Sequence, residues 1–164
     1  MYNTMFELLR KIGGSVKFLI SGKRVVWRNE ELKRFKQMWL KGYSPLNFDA
    51  DSFEDAIKMA KNLLKLFPRD RIQMRISSSG KGVHFRIVDE NGNQVYMRSW
   101  IVFDIRGIVG DDPGRLYWDS FKLRFKKWRP ISVLFNSKNG KRAREWECLN
   151  LNKLYRLLRE SRDA

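Results

Sequence analysis

Cysteine and histidine are nearly absent from the sequence, with one of each among 164 residues. Cys148 alone excludes an internal disulfide and any zinc site built from several cysteines, so we expect no zinc. A single free cysteine is typical of a reducing compartment, which predicts a cytoplasmic, intracellular protein. His84 is the only histidine, and this excludes the nucleases and replication initiators that need a pair of histidines.

Long apolar runs are also absent, since no stretch approaches the roughly 18 residues that a membrane span requires. The N-terminal stretch "MYNTMFELLRKIGG" lacks the layout of a signal peptide and is typical of a short amphipathic helix. We therefore expect no membrane-spanning segment.

Acidic residues are in the minority, because 18 Asp and Glu stand against 34 Lys and Arg, for a net charge of +16. A surplus of this size attracts polyanions and speeds encounters with them. Nucleic acid is the first candidate for such a partner, and an anionic membrane surface is the second.

The composition and periodicity of the chain predict one α+β domain over residues 1–164. Hydrophobic residues make up 43% of the sequence, which is enough to bury a core without cross-links. Alternating and helical patterns predict a mostly antiparallel sheet with helices on one face. We divide the domain into an N-terminal hairpin and helix flank (1–42), a core (43–146) and a C-terminal helix (147–164).

Five segments of the core have clear local signals. "SFEDAIKMAKNLLKLFP" predicts a helix, because Ser52 and Asp55 form a capping box and Pro68 ends the pattern. "RIQMRISSS" and "GVHFRIV" alternate, which predicts two strands joined at a Ser-Gly-Lys-Gly turn. "RLYWD" and "FKLRFKKW" predict two further strands.

Polar side chains from these strands are expected on one face of the sheet. Because strand side chains alternate with period 2, Asp49 and Asp51 in "NFDAD" point the same way. The same rule places His84 and Asp119 opposite the core side chains of their strands. Carboxylates that share a face repel each other, which suggests that cations lie between them.

Oxygen ligands without cysteine favour Mg²⁺ or Mn²⁺. Two such ions about 4 Å apart are the usual device for in-line phosphoryl displacement. The identity of the third acid is open, because Asp104, Asp111 and Asp112 compete with Asp119. Asp111 and Asp112 also fit a turn before Pro113.

These residues resemble the motifs of the archaeo-eukaryotic primase superfamily, the primase-polymerases. Its first motif, hydrophobic-Asp-x-Asp between a strand and a helix, is similar to "NFDADSFEDAIKMAKNLL". Its second, Ser-Gly-x-Gly-x-His, is similar to "ISSSGKGVHFRI". Its third, a strand that ends in hydrophobic-Asp before a basic segment and a Lys-x-Gly loop, is similar to "RLYWDSFKLRFKKWRPISVLFNSKNGKRA". The similarity spans residues 46–142, without the zinc-binding cluster or the histidine at 132–138 that many members have.

The resemblance implies a primase-polymerase-like core and a metal-dependent nucleotidyltransferase. Such an enzyme makes or extends primers on single-stranded DNA, in plasmid or virus replication. Asp49, Asp51 and Asp119 would hold two Mg²⁺ or Mn²⁺ ions that align a primer 3′-hydroxyl with the α-phosphate of an NTP or dNTP. His84 would hydrogen-bond the phosphates. Further implied phosphate ligands are Ser77, Ser78, Ser79, Gly80, Lys81, Arg115 and Lys138.

The implied partners are single-stranded or primer-template DNA and other replication proteins, without a membrane. The basic stretch "KLRFKKWRP" is typical of a track for a single strand. Its candidate nucleic-acid ligands are Lys122, Arg124, Lys126, Lys127, Trp128 and Arg129.

Simpler interpretations remain open for each of these features. Asp51 precedes a helix, where an acid is stabilising without any catalysis. "SSSGKG" also fits a plain hairpin turn, and His84 a buried structural histidine. "KGVHFRIV" is similar to a strand of the RNA-recognition motif (RRM), whose sheet binds single strands. The alternative function is therefore a catalytically inactive, primase-like or RRM-like nucleic-acid-binding protein that acts as a replication initiator or regulator.

Overall fold

The computed structural model describes residues 15–20, 23–125, 131–132, 134, 137–138 and 140–163. The strands are β1 (Ser15–Ile20), β2 (Lys23–Arg28), β3 (Tyr43–Pro45), β4 (Asn47–Ala50), β5 (Ile72–Ile76), β6 (Val83–Ile87), β7 (Tyr96–Arg98), β8 (Ser137–Lys138), β9 (Lys141–Arg142) and β10 (Glu147–Cys148). The helices are α1 (Asn29–Leu40), α2 (Phe53–Leu66), α3 (Ser99–Val109), α4 (Pro113–Phe125) and α5 (Leu151–Arg162), with a 3₁₀ turn at Arg69–Arg71.

A four-stranded antiparallel sheet in the order β10–β5–β6–β4 is the largest sheet of the described residues. Strand β6 pairs with both β4 and β5, so these two strands run parallel to each other with β6 between them. The connection β4–α2–β5 therefore skips one strand position, as in a split βαβ unit. The pairs β1–β2, β3–β7 and β8–β9 form smaller ladders. The predicted α+β class with antiparallel sheets is confirmed.

The core of the sheet is formed on the face that packs with α2. Ala56, Ala60 and Leu63 recur at helical spacing and belong to one buried cluster with Phe48 and Phe85 of the sheet. Full burial of a Leu or Phe side chain stabilises the fold by about 1.5–3 kcal/mol. Helix α5 packs beside α2 and contributes to the same cluster.

Helix α2 begins where the capping box predicts. The Ser52 hydroxyl accepts a hydrogen bond from the backbone N–H of Asp55 at 3.1 Å and donates one to its carboxylate at 2.7 Å. These bonds satisfy one of the free backbone donors at the helix start. The start of α2 is thereby fixed at Phe53, two residues after Asp51, which leaves Asp51 at the junction between β4 and α2.

The prediction of two strands in "RLYWD" and "FKLRFKKW" is wrong for the described residues of these segments, because Pro113–Phe125 form helix α4. The Asp112 carboxylate begins this helix by accepting hydrogen bonds from the N–H groups of Gly114 and Arg115 at 3.0 and 3.1 Å. Pro113 suits the first helical position, since a donor there would have no partner. The alternation in "FKLRF" is a weaker signal than this helix start.

The segment "VYMRSWIVFDI" has a periodicity that fits a strand or a buried helix, and the structure divides it between both. Tyr96–Arg98 form β7 and Ser99–Val109 form α3. Gly110 ends α3 with φ of 82°, in the left-handed region that glycine adopts without strain. Among the described helices, none combines the length and apolar character that crossing a bilayer requires.

Candidate functional site

The register of the sheet places Asp49, His84 and Arg75 in one row across three strands. Asp49 on β4 is the cross-strand partner of His84 on β6, and His84 is the partner of Arg75 on β5. The Nε2 atom of His84 lies 3.5 Å from Oδ1 of Asp49. The Nε atom of Arg75 donates to Nδ1 of His84 at 3.2 Å. The structure thus brings together Asp49 and His84, as the alternation of both strands predicts.

The contact with Arg75 assigns the tautomer of His84. A guanidinium N–H always donates, because arginine stays protonated in proteins. The Nδ1 atom of His84 must therefore accept, which places the ring hydrogen on Nε2. Since Nε2 faces the Asp49 carboxylate, the imidazole presents a donor to oxygens on this face. His84 is therefore better suited to binding an anion than to acting as a general base, because Arg75 engages the lone pair of the imidazole.

The Asp49 carboxylate lies in an unfavourable electrostatic environment. Burial raises its pKa from 3.8 to about 6, and the neighbouring charges of Asp111, Asp51 and Asp112 act in the same direction. The charge of Arg115 opposes them, with Nη1 3.9 Å from Oδ2 of Asp49. A cation that approached this carboxylate would relieve the unfavourable energy.

We expect Asp49→Asn to be more stable than the wild type by about 2–3 kcal/mol at pH 8, and the gain to disappear near pH 4. The folded-state pKa lies above the unfolded value, so the folded wild type loses stability as pH rises from about 4 to 6. Asparagine cannot ionise and avoids this loss. Urea unfolding at both pH values measures the effect. Asp104→Asn removes an exposed charge from α3 and should change stability by less than about 0.5 kcal/mol; an equal gain there would contradict the prediction.

Asp51 follows the last residue of β4, two residues beyond Asp49, where the turn between β5 and β6 packs against the backbone. Gly82 is required at the contact, because a Cβ atom there would lie 2.4 Å from the carbonyl oxygen of Ala50 and 3.2 Å from Cα of Asp51. Asp51 and Lys81 are both exposed and line an open groove of about 440 Å³. The groove continues to Leu158 and Ser161 of α5.

The predicted phosphate cradle at Ser77, Ser78, Ser79, Gly80 and Lys81 is a hairpin turn with internal hydrogen bonds. The Ser79 hydroxyl accepts from the N–H of Lys81, and the Ser77 hydroxyl accepts from the N–H of Gly82, both at 3.3 Å. These hydroxyls occupy positions that a phosphate oxygen would take in a cradle. A phosphate bound at this turn would therefore have to replace them.

The free edge of β4 is closed by the chain segments around Asp111 and Ser132. The Asp111 carboxylate accepts from the N–H of Asp49 at 2.7 Å, and the N–H of Asp112 donates to the carbonyl of Asp49 at 3.3 Å. The Ser132 hydroxyl donates to the carbonyl of Asn47 at 2.7 Å. The backbone groups of β4 thus have hydrogen-bond partners on both sides of the strand, although β4 is an edge strand of its sheet.

Asp111 and Asp112, the competitors for the third acid, have structural partners in this arrangement. Asp111 is buried, and it forms ion pairs with Arg106 and with Arg115, the latter at 3.1 Å. Asp112 begins α4. Asp104, the remaining competitor, is exposed on α3.

Asp119 does not join Asp49 and Asp51 on the sheet face, which corrects the prediction of a third carboxylate there. It lies on α4, 4% exposed, with Oδ2 2.6 Å from Nη1 of Arg106 and Oδ1 2.6 Å from Nζ of Lys122. Burial raises its pKa, but the charges of Arg106 and Lys122 and their hydrogen bonds outweigh burial and lower it below its ordinary value. The physical reason for the correction is the helix, which turns this side chain toward the buried arginine.

Of the remaining residues predicted to bind phosphate or nucleic acid, one lies at the site and the others do not. Arg115 reaches the site from the first turn of α4, within 3.9 Å of Asp49. Lys122 is bound to Asp119, and Arg124 is exposed near the end of α4. Lys138 lies in β8. Lys126, Lys127, Trp128 and Arg129 lie outside the described residues.

Sequence reasoning missed Trp146, which extends the polar face next to His84. The guanidinium carbons of Arg75 and Arg86 lie 4.3 and 4.5 Å from the centroid of the Trp146 ring. Arg86 also donates from Nε to the side-chain oxygen of Gln73 at 2.8 Å. The alternation in "RIQMRIS" and "VHFRI" accounts for Gln73 and both arginines on this face, because strand side chains alternate with period 2. No local signal marks Trp146, because it stands in a loop before a two-residue strand.

The donor atoms of the site meet the needs of a metal ion only in part. Within the described part of the chain, no group of three or more His, Cys, Asp or Glu side chains is arranged to hold a metal. Asp49 and Asp51 supply hard carboxylate oxygens, the ligand type that Mg²⁺ and Mn²⁺ prefer. They do not fit a pair of ions held by three aspartates, because Asp119 is engaged by Arg106 and Lys122.

Comparison with known proteins gives no match: no family model, no curated protein and no solved structure matches the chain.

Proposed function

We propose that the chain binds a nucleoside triphosphate at the sheet face around Asp49 and acts as a primase-like nucleotidyltransferase on single-stranded DNA. The row of Asp49, His84 and Arg75 is the observation on which this proposal depends. Its support is a carboxylate, a directed imidazole donor and a permanent cation next to one another, in a protein with a net charge of +16.

The order of motifs along the sheet supports a primase-polymerase-like core. The first motif ends β4 and precedes α2, and the second spans β5, the turn and β6. Together they form the βαββ unit that positions Asp49 opposite His84. The third motif departs from the family pattern, because its aspartate lies on a helix.

Each residue of the site has a physical role in the proposal. His84 donates from Nε2 to a phosphate oxygen, and Arg75 holds the imidazole in that tautomer. Arg115, anchored by Asp111, offsets charge near the triphosphate. Asp49 and Asp51 would hold a Mg²⁺ or Mn²⁺ ion, which when bound neutralises phosphate charge and orients the reacting oxygens.

Primer synthesis and extension with Mn²⁺ and labelled nucleotides test the proposal. The wild type should form product, and Asp49→Asn/Asp51→Asn should reduce the rate at least about 100-fold, as removal of transition-state charge stabilisation does. Isothermal titration with Mn²⁺ and a non-hydrolysable triphosphate should show weaker binding for the same variant.

Asp70→Asn/Asp104→Asn is the matched control for this assay. It changes the net charge by the same amount at two exposed positions outside the site. The control should retain activity and triphosphate binding. Equal activity of the site variant and the control would contradict a site at Asp49 and Asp51.

A nucleic-acid-binding protein without catalysis is the second candidate, and the engagement of Asp119 by Arg106 and Lys122 favours it. Without a third carboxylate, the site can bind a metal-bound triphosphate and still lack the ligands for catalysis. This candidate predicts triphosphate binding that depends on Asp49, together with no product in the extension assay.

A further inference from the structure

Helix α4 exposes a row of aromatic rings that the proposed chemistry does not use. Their exposed fractions are 68% for Tyr117, 62% for Trp118, 40% for Phe121 and 66% for Phe125. Successive rings contact each other, with centroid distances of 5.7, 6.5 and 5.0 Å. With roughly 100° of rotation per residue, the four rings lie within about 100° of the helix circumference. We call these four residues the aromatic stripe.

Basic residues flank the aromatic stripe on both sides. By the same rotation, Arg124 lies about 20° beyond one border of the stripe, and Lys122 and Arg115 lie about 40–60° beyond the other. Asp119 is the only acidic residue of α4, and it is buried. Lys122 and Arg115 pair with Asp119 and Asp111, whereas Arg124 is exposed, so the exposed surface of α4 combines apolar rings with the charge of Arg124 and has no carboxylate. In the sequence, three further basic residues and one aromatic residue follow α4 directly: Lys126, Lys127, Arg129 and Trp128.

The stripe is continuous with the candidate site. Arg115, in the first turn of α4, lies 3.9 Å from Asp49. The stripe begins two residues later and extends for about 12 Å along the helix, at 1.5 Å per residue. A strand bound along α4 would therefore have one end near the proposed triphosphate.

We infer that the aromatic stripe binds single-stranded nucleic acid by stacking of bases on its rings, and that it guides the strand to the sheet face at Asp49. Stacking platforms bordered by positive charge are how proteins hold single strands without reading their sequence. A second copy of the chain fits this surface less well, because its net charge of +16 would oppose association. The inference rests on the proposed function for its choice of a nucleic acid as the partner.

Fluorescence anisotropy with a labelled oligothymidylate of about 20 nucleotides tests the inference over a range of salt concentrations. Trp118→Ala/Phe125→Ala should weaken binding at least about tenfold at every salt concentration, because each lost stack costs about 5- to 150-fold. Trp118→Leu/Phe125→Leu should weaken it similarly, since leucine keeps apolar area without a ring. Arg124→Gln should instead reduce the slope of log affinity against log salt by about 0.7.

Tyr155→Ala, on α5, is the matched control, because it removes a partly exposed ring outside the stripe. It should bind like the wild type, and all variants should keep the wild-type unfolding midpoint. Wild-type affinity in the alanine or leucine pair would overturn the inference. A wild-type dimer that dissociates in the alanine pair, with unchanged DNA affinity, would also overturn it and assign the stripe to self-association.

Triphosphate binding, measured in the same variants, separates this inference from the proposed function. The stripe variants should bind the Mn²⁺ triphosphate like the wild type. A protein that binds the triphosphate but no oligonucleotide would overturn the inference and leave the site intact. A protein that binds the oligonucleotide through the stripe but no triphosphate would uphold the inference and remove the proposed function.

Discussion

Asp119→Ala should lower the free energy of unfolding by about 3–5 kcal/mol. The side chain of Arg106 is fully buried and pairs with the carboxylates of Asp111 and Asp119. The substitution removes the second of these partners. A buried charge that loses a partner keeps its desolvation cost without the compensating attraction. It also leaves Lys122 and the N–H of Ser132 without the oxygens that they contact at 2.6 and 3.1 Å. Urea unfolding of the purified variant measures the loss.

The pH dependence of this loss has a defined sign. Because the folded-state pKa of Asp119 is lowered, its stabilisation is present above the unfolded value of 3.8 and disappears as pH falls through the folded value. The difference between wild type and variant should therefore shrink in acid. Asp104→Ala, an exposed acid of α3, should cost less than about 0.5 kcal/mol. A stable Asp119→Ala protein that had lost only metal-dependent activity would instead support a ligand role.

The row of Asp49 and His84 was predictable because it depends on local rules. Alternation within each strand determines which side chains share a face, and the capping box at Ser52 fixes where β4 must end. The turn at Gly80, with φ of 76°, joins β5 and β6 as a hairpin and therefore makes them neighbours. These signals lie within about forty residues of sequence, and they place two of the predicted site residues 3.5 Å apart.

The partners of Asp119 were not predictable from such rules. The side chain pairs with Arg106, thirteen residues away on another helix, and with the N–H of Ser132. Burial of an arginine depends on tertiary packing, which no periodicity reports. The segment itself was misassigned because alternation in "FKLRF" resembles a strand, whereas Asp112 and Pro113 are the stronger helix-start signal. Because a strand was predicted there, Asp119 was expected on the polar face of the sheet.

Gly82→Ala should destabilise the fold by about 3 kcal/mol, because the new Cβ atom would meet backbone that cannot rotate away. It would lie 2.4 Å from the carbonyl oxygen of Ala50 and 3.2 Å from Cα of Asp51. Either β6 separates from β4, or the junction that places Asp51 shifts. Both changes disturb the site, so we expect weaker triphosphate binding and a lower midpoint of urea unfolding.

Gly107→Ala is the matched control, because it makes the same chemical change in open space. No heavy atom lies within 4 Å of a Cβ built at this helical position of α3. Alanine there should raise stability by about 0.5–1 kcal/mol, since glycine is a poor helix former. Opposite signs at the two glycines would show that the contact between the β5–β6 turn and the Ala50–Asp51 backbone is sterically tight. If Gly82→Ala were as stable as the control and bound triphosphate like the wild type, the close approach would be absent in solution and Asp51 would be positioned by α2 alone.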